Sequence, residues 1–420
     1  MDKLIIHGPS KLQGEVQVSR SKNAYLPIIA ACLLSDRPVH LFNLPELRDI
    51  KTIIQLLQKM GAVISYEGLR TTIDCSKISS YEATYELVKT MRASILVLGP
   101  LLGRFKKGHV SLPGGCAIGA RPIDIHLKNF EKMGAIINLD SGYVDAKTNG
   151  LKGCKLVLSF PSVGATENLM MGAVLAEGET IIENCALEPE IDDLAHFLNK
   201  MGAKISGIGT SIIKIIGVKN LKEVEYQAIG DRIEAATYLI AGLITKSLIT
   251  IRGINPSFLD AVCVCLQEMG AKFKFGDDFI QILEVSHLRA IQVDTSPFPG
   301  FPTDVQAQLL TLATQVNGTS IITENIFENR FMHVPELNRL GAKIELKGNS
   351  AIVQGPTVLK SAPIMCTDLR ASAALVLAAL AAEGATEVFR IYHLERGYEK
   401  LEQKLRKLGA IIDRASGPAI

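Results

Sequence analysis

FLNKMGAKIS, Phe197–Ser206, is one of six copies of a phrase that recurs along the chain. In each copy a mixed apolar and charged run ends in Met-Gly-Ala or Leu-Gly-Ala, and a short apolar stretch follows. The copies lie 68 to 73 residues apart, and such even spacing indicates a repeat architecture. Their glycines are Gly61, Gly134, Gly202, Gly270, Gly341 and Gly409.

The copy around Gly202 predicts the structure of one repeat. Upstream of it, Ile191, Leu194 and Phe197 follow helical spacing, and Gly202 suits the left-handed residue that ends a helix. Two short strands around a glycine turn are predicted after it, and another helix and an apolar strand before it. Each repeat is therefore helix–strand–helix–strand–strand, and six repeats give an α/β protein of two domains with three repeats each.

Composition argues against several classes of function. The 420 residues carry a net charge of +2, no tryptophan and 5% aromatic residues, which disfavours nucleic acid and anionic membranes as partners. No apolar run reaches the ~20 residues that span a bilayer, and the first residues lack a signal-peptide layout, so we expect a cytoplasmic protein. The eight cysteines are expected to be free thiols, and no metal or organic cofactor is predicted.

The first helix of each repeat is predicted to begin with polar or charged residues. Lys22 and Arg92 are notable, because a cation at a helix N-terminus opposes the helix dipole unless an anion lies nearby. Related positions in the other repeats are Ser162, Asp231, Asp304 and Asp368. Ordinary helix capping is the alternative interpretation, and it suits Asp231 and Asp368 well.

Three of the second helices begin close to an arginine, namely Arg121, Arg330 and Arg396. Arginine suits two-point contact with phosphate or carboxylate groups. A solvated helix start paired with Glu328 or Glu395 is the alternative for a single arginine. Three arginines at related repeat positions favour a site for a highly anionic ligand.

LPGGCAIGARP, Leu112–Pro122, is predicted to be a loop, because glycine and proline disfavour helix and strand interiors. Cys116 lies at its centre. A thiol on such a loop is placed to meet a ligand when the loop closes, although a tolerated surface thiol is the alternative.

Nine segments carry a resemblance to a known family. In chain order they are SKNAYLP, KTMRAS, PGGCAIGARP, SVGATEN, DRIEAATY, FPTDVQAQ, FENRFMHVPEL, TDLRASA and RIYHLERGYE. Together they resemble the UDP-N-acetylglucosamine enolpyruvyl transferases, also called 1-carboxyvinyltransferases, within the enolpyruvyl transferase family. The related 5-enolpyruvylshikimate-3-phosphate synthases share the six-repeat fold but lack the cysteine loop.

The resemblance implies two inside-out α/β domains, each of three repeats, with the ligands bound between them. The N-terminal domain would span residues 21–229 and carry the loop 112–122, and the C-terminal domain would join residues 1–20 to 230–420. The implied reaction adds the 3′-hydroxyl of UDP-N-acetylglucosamine to phosphoenolpyruvate and then expels phosphate from a tetrahedral intermediate. It is the first committed step of bacterial peptidoglycan synthesis.

The resemblance also implies residue roles. Cys116 would be the general acid at C3 of phosphoenolpyruvate, the site of a covalent adduct and the target of fosfomycin. Asp304 would act as a base for the 3′-hydroxyl or for C3, and Lys22, Arg121 and Arg396 would hold phosphate and carboxylate. The implied UDP-sugar contacts are Asn23, Arg92, Arg121, Pro122, Ile123, Asp124, Ile125, Ser162, Val163 and Ile326, with Arg330, Asp368 and Asp231 at nearby motif positions.

The chain departs from the family pattern at three places. Arg20 replaces a usual glycine, Tyr25 a typical alanine, and Phe160–Pro161 precede SVGAT where many members have a lysine or polar residue. Two alternatives to the implied activity stay open: the shikimate-pathway reaction, and a paralogue that binds the UDP-sugar without turnover. Substrate choice and phosphate release separate them.

Overall fold

The computed structural model describes residues 2–89, 91–112, 123–285 and 287–416, with Arg92 as backbone only. The strands are β1 Asp2–Gly8, β2 Gly14–Gln17, β3 Val39–Phe42, β4 Val63–Glu67, β5 Arg70–Asp74, β6 Glu82–Ala83, β7 Lys107–Ser111, β8 Ile136–Asp140, β9 Tyr143–Lys147, β10 Lys155–Val157, β11 Glu179–Glu183, β12 Lys204–Ser206, β13 Ile212–Ile216, β14 Val224–Tyr226, β15 Ile249–Arg252, β16 Lys272–Phe275, β17 Phe279–Glu284, β18 Gln292–Asp294, β19 Gly318–Thr323, β20 Lys343–Lys347, β21 Ser350–Gly355, β22 Ile364–Met365, β23 Gly384–Phe389 and β24 Ile411–Ser416.

The helices are α1 Lys22–Ala31, α2 Arg48–Met60, α3 Tyr85–Val88, α4 Leu98–Pro100, α5 Asp124–Lys132, α6 Val163–Ala173, α7 Pro189–Lys200, α8 Arg232–Ile244, α9 Asp260–Glu268, α10 Gln306–Ala313, α11 Val334–Arg339, α12 Leu369–Ala381 and α13 Leu401–Lys407. Shorter 3-10 segments cover Cys32–Leu34, Arg92–Val97, Pro256–Leu259, Thr303–Val305 and Ile391–Arg396, and a π turn covers Leu101–Phe105. None of the helices in the described ranges is long and apolar enough to cross a membrane.

The strands form six four-stranded sheets of one design. Their strand orders are β14-β3-β5-β4, β6-β7-β9-β8, β10-β11-β13-β12, β16-β17-β15-β2, β18-β19-β21-β20 and β22-β23-β1-β24. In every sheet one edge pair is parallel and the other two pairs are antiparallel. The sequence repeat is therefore a structural repeat, and the predicted α/β fold class is confirmed.

Two units divide the chain. One contains residues 2–19 together with the described residues from 230 onward, and the other contains the described residues from 20 to 229. Strand pairing explains why the first residues join the later unit, because β1 lies between β23 and β24, and β2 pairs with β15.

Helices occupy the interior of each unit. In the later unit α8, α10 and α12 pack against one another, and nearly all of their residues are buried. In the other unit α1, α6 and the helical segment 92–105 pack in the same way. The sheets lie around these helices with one face inward, which is the predicted inside-out arrangement. The six repeat glycines all lie in the left-handed region, with φ between 92° and 111°, as predicted for helix ends.

Close helix packing in the unit of residues 20–229 depends on Gly99. Its N–H donates to Asn168 Oδ1 (2.6 Å), and Asn168 Nδ2 donates to the carbonyl of Ile95 (3.0 Å). A Cβ at residue 99 would lie 2.2 Å from the main-chain oxygen of Asn168, so a larger residue forces α4 and α6 apart.

We expect Gly99→Ala to lower the free energy of unfolding by about 3 kcal/mol, since overpacking a close helix contact strains the backbone. Gly164→Ala is the control, because the nearest atom to its added Cβ is 3.5 Å away and alanine favours helix. Urea unfolding of both variants measures the difference. Equal stabilities would contradict the packing argument.

Candidate functional site

An ion triad lies at the start of α10 in the unit that contains residues 230–416. Asp304 is in the 3-10 turn Thr303–Val305, directly before that helix. Its Oδ1 accepts from Arg330 Nη2 (2.6 Å), and its Oδ2 accepts from Arg370 Nη2 (2.9 Å). Both arginine side chains are 5% exposed, whereas Asp304 is 27% exposed, so the carboxylate is the part of the triad that solvent and ligands reach.

Charge pairing controls the ionisation of Asp304. Burial of the carboxyl opposes ionisation, but the guanidinium groups of Arg370 and Arg330 outweigh it and hold the pKa of Asp304 well below its usual value. Burial also opposes the charge of Arg370, yet Asp304 raises its pKa above the usual range. Asp304 and Arg370 are therefore both ionised at neutral pH.

Glu324 supports Arg330 from the neighbouring strand end. Thr303 Oγ1 accepts from Arg330 Nη1 (3.0 Å) and donates to Glu324 Oε2 (2.8 Å). Glu324 Oε1 in turn accepts the N–H groups of Ile326 (2.8 Å) and Phe327 (3.1 Å). Ile326, a predicted sugar contact, is thus fixed on a turn that one buried carboxylate organises.

Asp231 and Asp368 are helix caps. Asp231 Oδ1 accepts the N–H groups of Ile233 and Glu234, both at 2.9 Å. Asp368 Oδ1 does the same at the start of α12, where it accepts from Arg370 N (2.9 Å) and Ala371 N (3.0 Å). Capping accounts for both carboxylates, and a ligand contact of Asp368 stays a prediction.

Lys22 has a counter-charge within its own unit. It is the first residue of α1, its side chain is 10% exposed, and its Nζ lies 3.3 Å from Asp49 Oδ2. Asp49 is in the first turn of α2 and is 5% exposed. This carboxylate offsets the unfavourable placement of a cation at the N-terminus of α1, where Asn23 is the second residue.

The predicted UDP-sugar segments begin α5 and α6. Ser162 caps α6, with its Oγ accepting from Ala165 N (3.3 Å), and Val163 is the first helical residue. Ile123 precedes α5, whose first residues are Asp124 and Ile125. Asp124 lies 3.3 Å from Lys128 Nζ, an exposed pair one helical turn apart.

His126 on α5 was not predicted as a site residue. Its Nδ1 lies 3.0 Å from Asn168 Nδ2, on α6. Asn168 Oδ1 accepts from Gly99, so the Asn168 amide presents its NH₂ group to His126, and Nδ1 accepts.

For the remaining predicted site residues the structure gives the position of some and does not describe others. Arg396 ends the 3-10 segment Ile391–Arg396, and Arg92 begins the segment Arg92–Val97. Cys116, Arg121 and Pro122 lie outside the described residues. No group of three metal-binding His, Cys, Asp or Glu side chains occurs among the residues that the structure covers.

Sequence reasoning also missed Asp49 and Glu324. Asp49 had a usable signal, because it lies in the first turn of a second helix, close to the repeat position that drew attention to the three arginines. The departure at Tyr25 is structural: the side chain is fully buried, and its hydroxyl contacts Phe42 O and accepts from Ala228 N (3.3 Å). Burial raises the pKa of Tyr25 to about 12.

Comparisons with known proteins agree on one family. The model of the EPSP synthase (3-phosphoshikimate 1-carboxyvinyltransferase) family matches residues 6–405. The UDP-N-acetylglucosamine 1-carboxyvinyltransferase of Koribacter versatilis is 52% identical over 99% of this chain and 96% of its own length. That of Geotalea uraniireducens is 53% identical over 99% of both chains.

Solved structures show the same fold. The enolpyruvyl transferase NikO from Streptomyces tendae superposes with a TM-score of 0.90 at 27% identity, over 99% of both chains. An EPSP synthase from Acinetobacter baumannii superposes with a TM-score of 0.76 at 18% identity, over 99% of this chain and 100% of its own, and it supports the fold alone.

Asp304→Asn should destabilise the protein at pH 7 by about 3 kcal/mol, because two buried guanidinium groups lose their counter-charge. The folded pKa of Asp304 lies below that of the unfolded chain, so its stabilisation is present above about pH 4 and is lost as the pH falls further. The difference between wild type and variant should therefore shrink between pH 5 and pH 2.5, measured by urea unfolding.

Asp413→Asn serves as the control, since the Asp413 side chain is 70% exposed and lies 3.8 Å from His7. Its effect should stay below about 0.5 kcal/mol at either pH. A stability difference for Asp304→Asn that is independent of pH would contradict the depressed pKa.

Proposed function

Because this chain belongs to the enolpyruvyl transferase family, we propose that it transfers the enolpyruvyl (carboxyvinyl) group of phosphoenolpyruvate to the 3′-hydroxyl of UDP-N-acetylglucosamine and releases phosphate. The reaction is the first committed step of peptidoglycan synthesis. The supporting observation is 50 to 53% identity over at least 96% of five relatives that bear this activity in their names. Both substrates are cytoplasmic metabolites, so we propose the cytoplasm as the location.

The two substrates together present three phosphate groups and one carboxylate, which require several cations. We assign the phosphate and carboxylate of phosphoenolpyruvate to Lys22, Arg121 and Arg396. The UDP-sugar contacts are assigned to Asn23, Arg92, Arg121, Pro122, Ile123, Asp124, Ile125, Ser162, Val163 and Ile326, with Arg330 and Asp368 nearby. Asp49 holds the buried Lys22 ammonium in place at the start of α1, and the assignment of Lys22 to the phosphate rests on its position in the family motif SKNAYLP.

The reaction proceeds by addition and elimination. In the addition, the 3′-oxygen bonds to C2 of phosphoenolpyruvate, the 3′-hydroxyl loses its proton, and C3 gains one. In the elimination, C3 gives up a proton, the bond from C2 to the phosphate oxygen breaks, and the enol ether remains. We assign protonation of C3 to the thiol of Cys116 and acceptance of the 3′-hydroxyl proton to Asp304.

Asp304 needs activation before it can accept a proton. Two guanidinium groups hold its pKa well below the usual value, so the ligand-free carboxylate is a weak base. A carboxylate or phosphate bound beside the exposed carboxylate of Asp304 repels its negative charge. That repulsion raises the pKa of Asp304, so the base gains strength when the anionic substrate binds.

Phosphate release on mixing the protein with UDP-N-acetylglucosamine and phosphoenolpyruvate tests the function. We expect release that requires both substrates and that shikimate 3-phosphate does not support. Cys116→Ser should lose at least about 100-fold in kcat, since a hydroxyl is a far weaker acid than a thiol. Fosfomycin should inactivate the wild type by alkylating Cys116.

Cys154→Ser is the matched control, because Cys154 is a partly exposed thiol elsewhere in the chain. It should keep wild-type kcat and wild-type sensitivity to fosfomycin. Phosphate release that survives in Cys116→Ser would keep the reaction but remove Cys116 from its role. UDP-sugar binding without any phosphate release from folded wild type would support the non-catalytic paralogue instead.

A further inference from the structure

A buried polar cluster lies beside the main chain of Asp304. Gln308, one turn further along α10, is fully buried. Its Nε2 lies 3.0 Å from the main-chain oxygen of Asp304, 3.2 Å from Tyr398 Oη and 3.3 Å from Thr237 Oγ1. One side-chain amide thus connects the backbone of Asp304 to α8 and to the segment after Arg396.

The direction of each hydrogen bond in this cluster follows from its end points. A carbonyl oxygen only accepts, so Gln308 presents its NH₂ group to Asp304 O. Thr237 Oγ1 donates to Ile233 O (2.8 Å), so it accepts from Tyr398 Oη (2.9 Å). Because Tyr398 Oη donates its only proton to Thr237, it accepts a hydrogen bond from Gln308 Nε2. The cluster is a one-way chain from Gln308 through Tyr398 and Thr237 to the backbone of α8.

Tyr398 also contacts Arg370. The centre of the guanidinium group lies 5.6 Å from the centroid of the Tyr398 ring, within range of a cation–π interaction. Arg370 holds Asp304 Oδ2, and Gln308 holds Asp304 O. Tyr398 is 2% exposed, and burial raises the pKa of its hydroxyl, so the hydroxyl stays a donor at neutral pH.

We propose that Tyr398 and Gln308 are positioning residues for Asp304, which they orient from its backbone and through Arg370 toward the 3′-hydroxyl. The inference rests on the proposed function, in which Asp304 is the base. Neither residue is assigned to touch substrate. Their loss should therefore lower kcat, because a misplaced base impairs proton transfer, and should leave substrate affinity nearly unchanged.

Tyr398→Phe and Gln308→Leu test the proposal, since each removes hydrogen bonds while keeping most of the side-chain volume. We expect kcat for phosphate release to fall by about tenfold or more in both variants, with KM for each substrate within about twofold of wild type. Tyr226→Phe is the control, because it removes a partly buried tyrosine hydroxyl that donates to Asp193 (2.7 Å) in the other unit. Its kcat should equal that of wild type.

Hydrogen–deuterium exchange of the turn 303–305 and the first turn of α10 gives a readout that needs no activity. Exchange there should be faster in Tyr398→Phe and Gln308→Leu than in wild type or Tyr226→Phe. Unchanged exchange in both variants, unchanged kcat, or a raised KM at unchanged kcat would overturn the proposal. Faster exchange in a protein whose wild type releases no phosphate would sustain the positioning role and refute the proposed function. If Tyr398→Phe fails to fold, the kcat and the exchange rates of Gln308→Leu alone test the proposal.

Discussion

Asp304 between the guanidinium groups of Arg330 and Arg370 is the interaction on which the later unit depends. The three residues come from the 3-10 turn before α10, the segment after β19 and the first turn of α12. The inside-out fold brings these helix starts together, since α10 and α12 pack directly against each other. One carboxylate serves both buried cations and offsets part of the cost of burying them. The same pairing makes that carboxylate a weak base in the ligand-free protein.

The other unit also pairs a buried cation with a carboxylate at a helix start, with one cation in place of two. Lys22 begins α1 against the helix dipole, and Asp49 in the first turn of α2 offsets its charge. A cation at a helix N-terminus predicts an anionic ligand nearby. At Lys22 the protein itself supplies the anion, so the unfavourable cation alone is weak evidence for a ligand. The proposed function rests instead on family membership and on relatives that match nearly the whole chain.

Local pattern predicted the fold because each repeat is specified locally. Gly202 and its five counterparts mark helix ends by backbone conformation, and apolar spacing marks the helices, so sequence alone yields the repeat and the fold class. The sequence contains no comparable pattern for contacts between distant residues. Asp304 contacts Arg370, which lies 66 residues further along the chain, and Gln308 contacts Tyr398, which lies 90 residues further along. Packing between repeats brings these residues together. For that reason the sequence identified Asp304 and Arg330 but not their pairing, and it missed Gln308 and Tyr398.

The ionisation of Asp304 in the ligand-free protein tests the central claim most directly. Carbon-13 NMR of protein labelled at aspartate Cγ, with Asp304→Asn used to assign the signal, follows that single carboxyl through a pH titration. The account predicts a signal that stays in the carboxylate position from pH 8 down to pH 4 and moves after phosphoenolpyruvate and the UDP-sugar are added. A titration midpoint at or above pH 4 without ligand would contradict the account, because the two arginines would then not control the base.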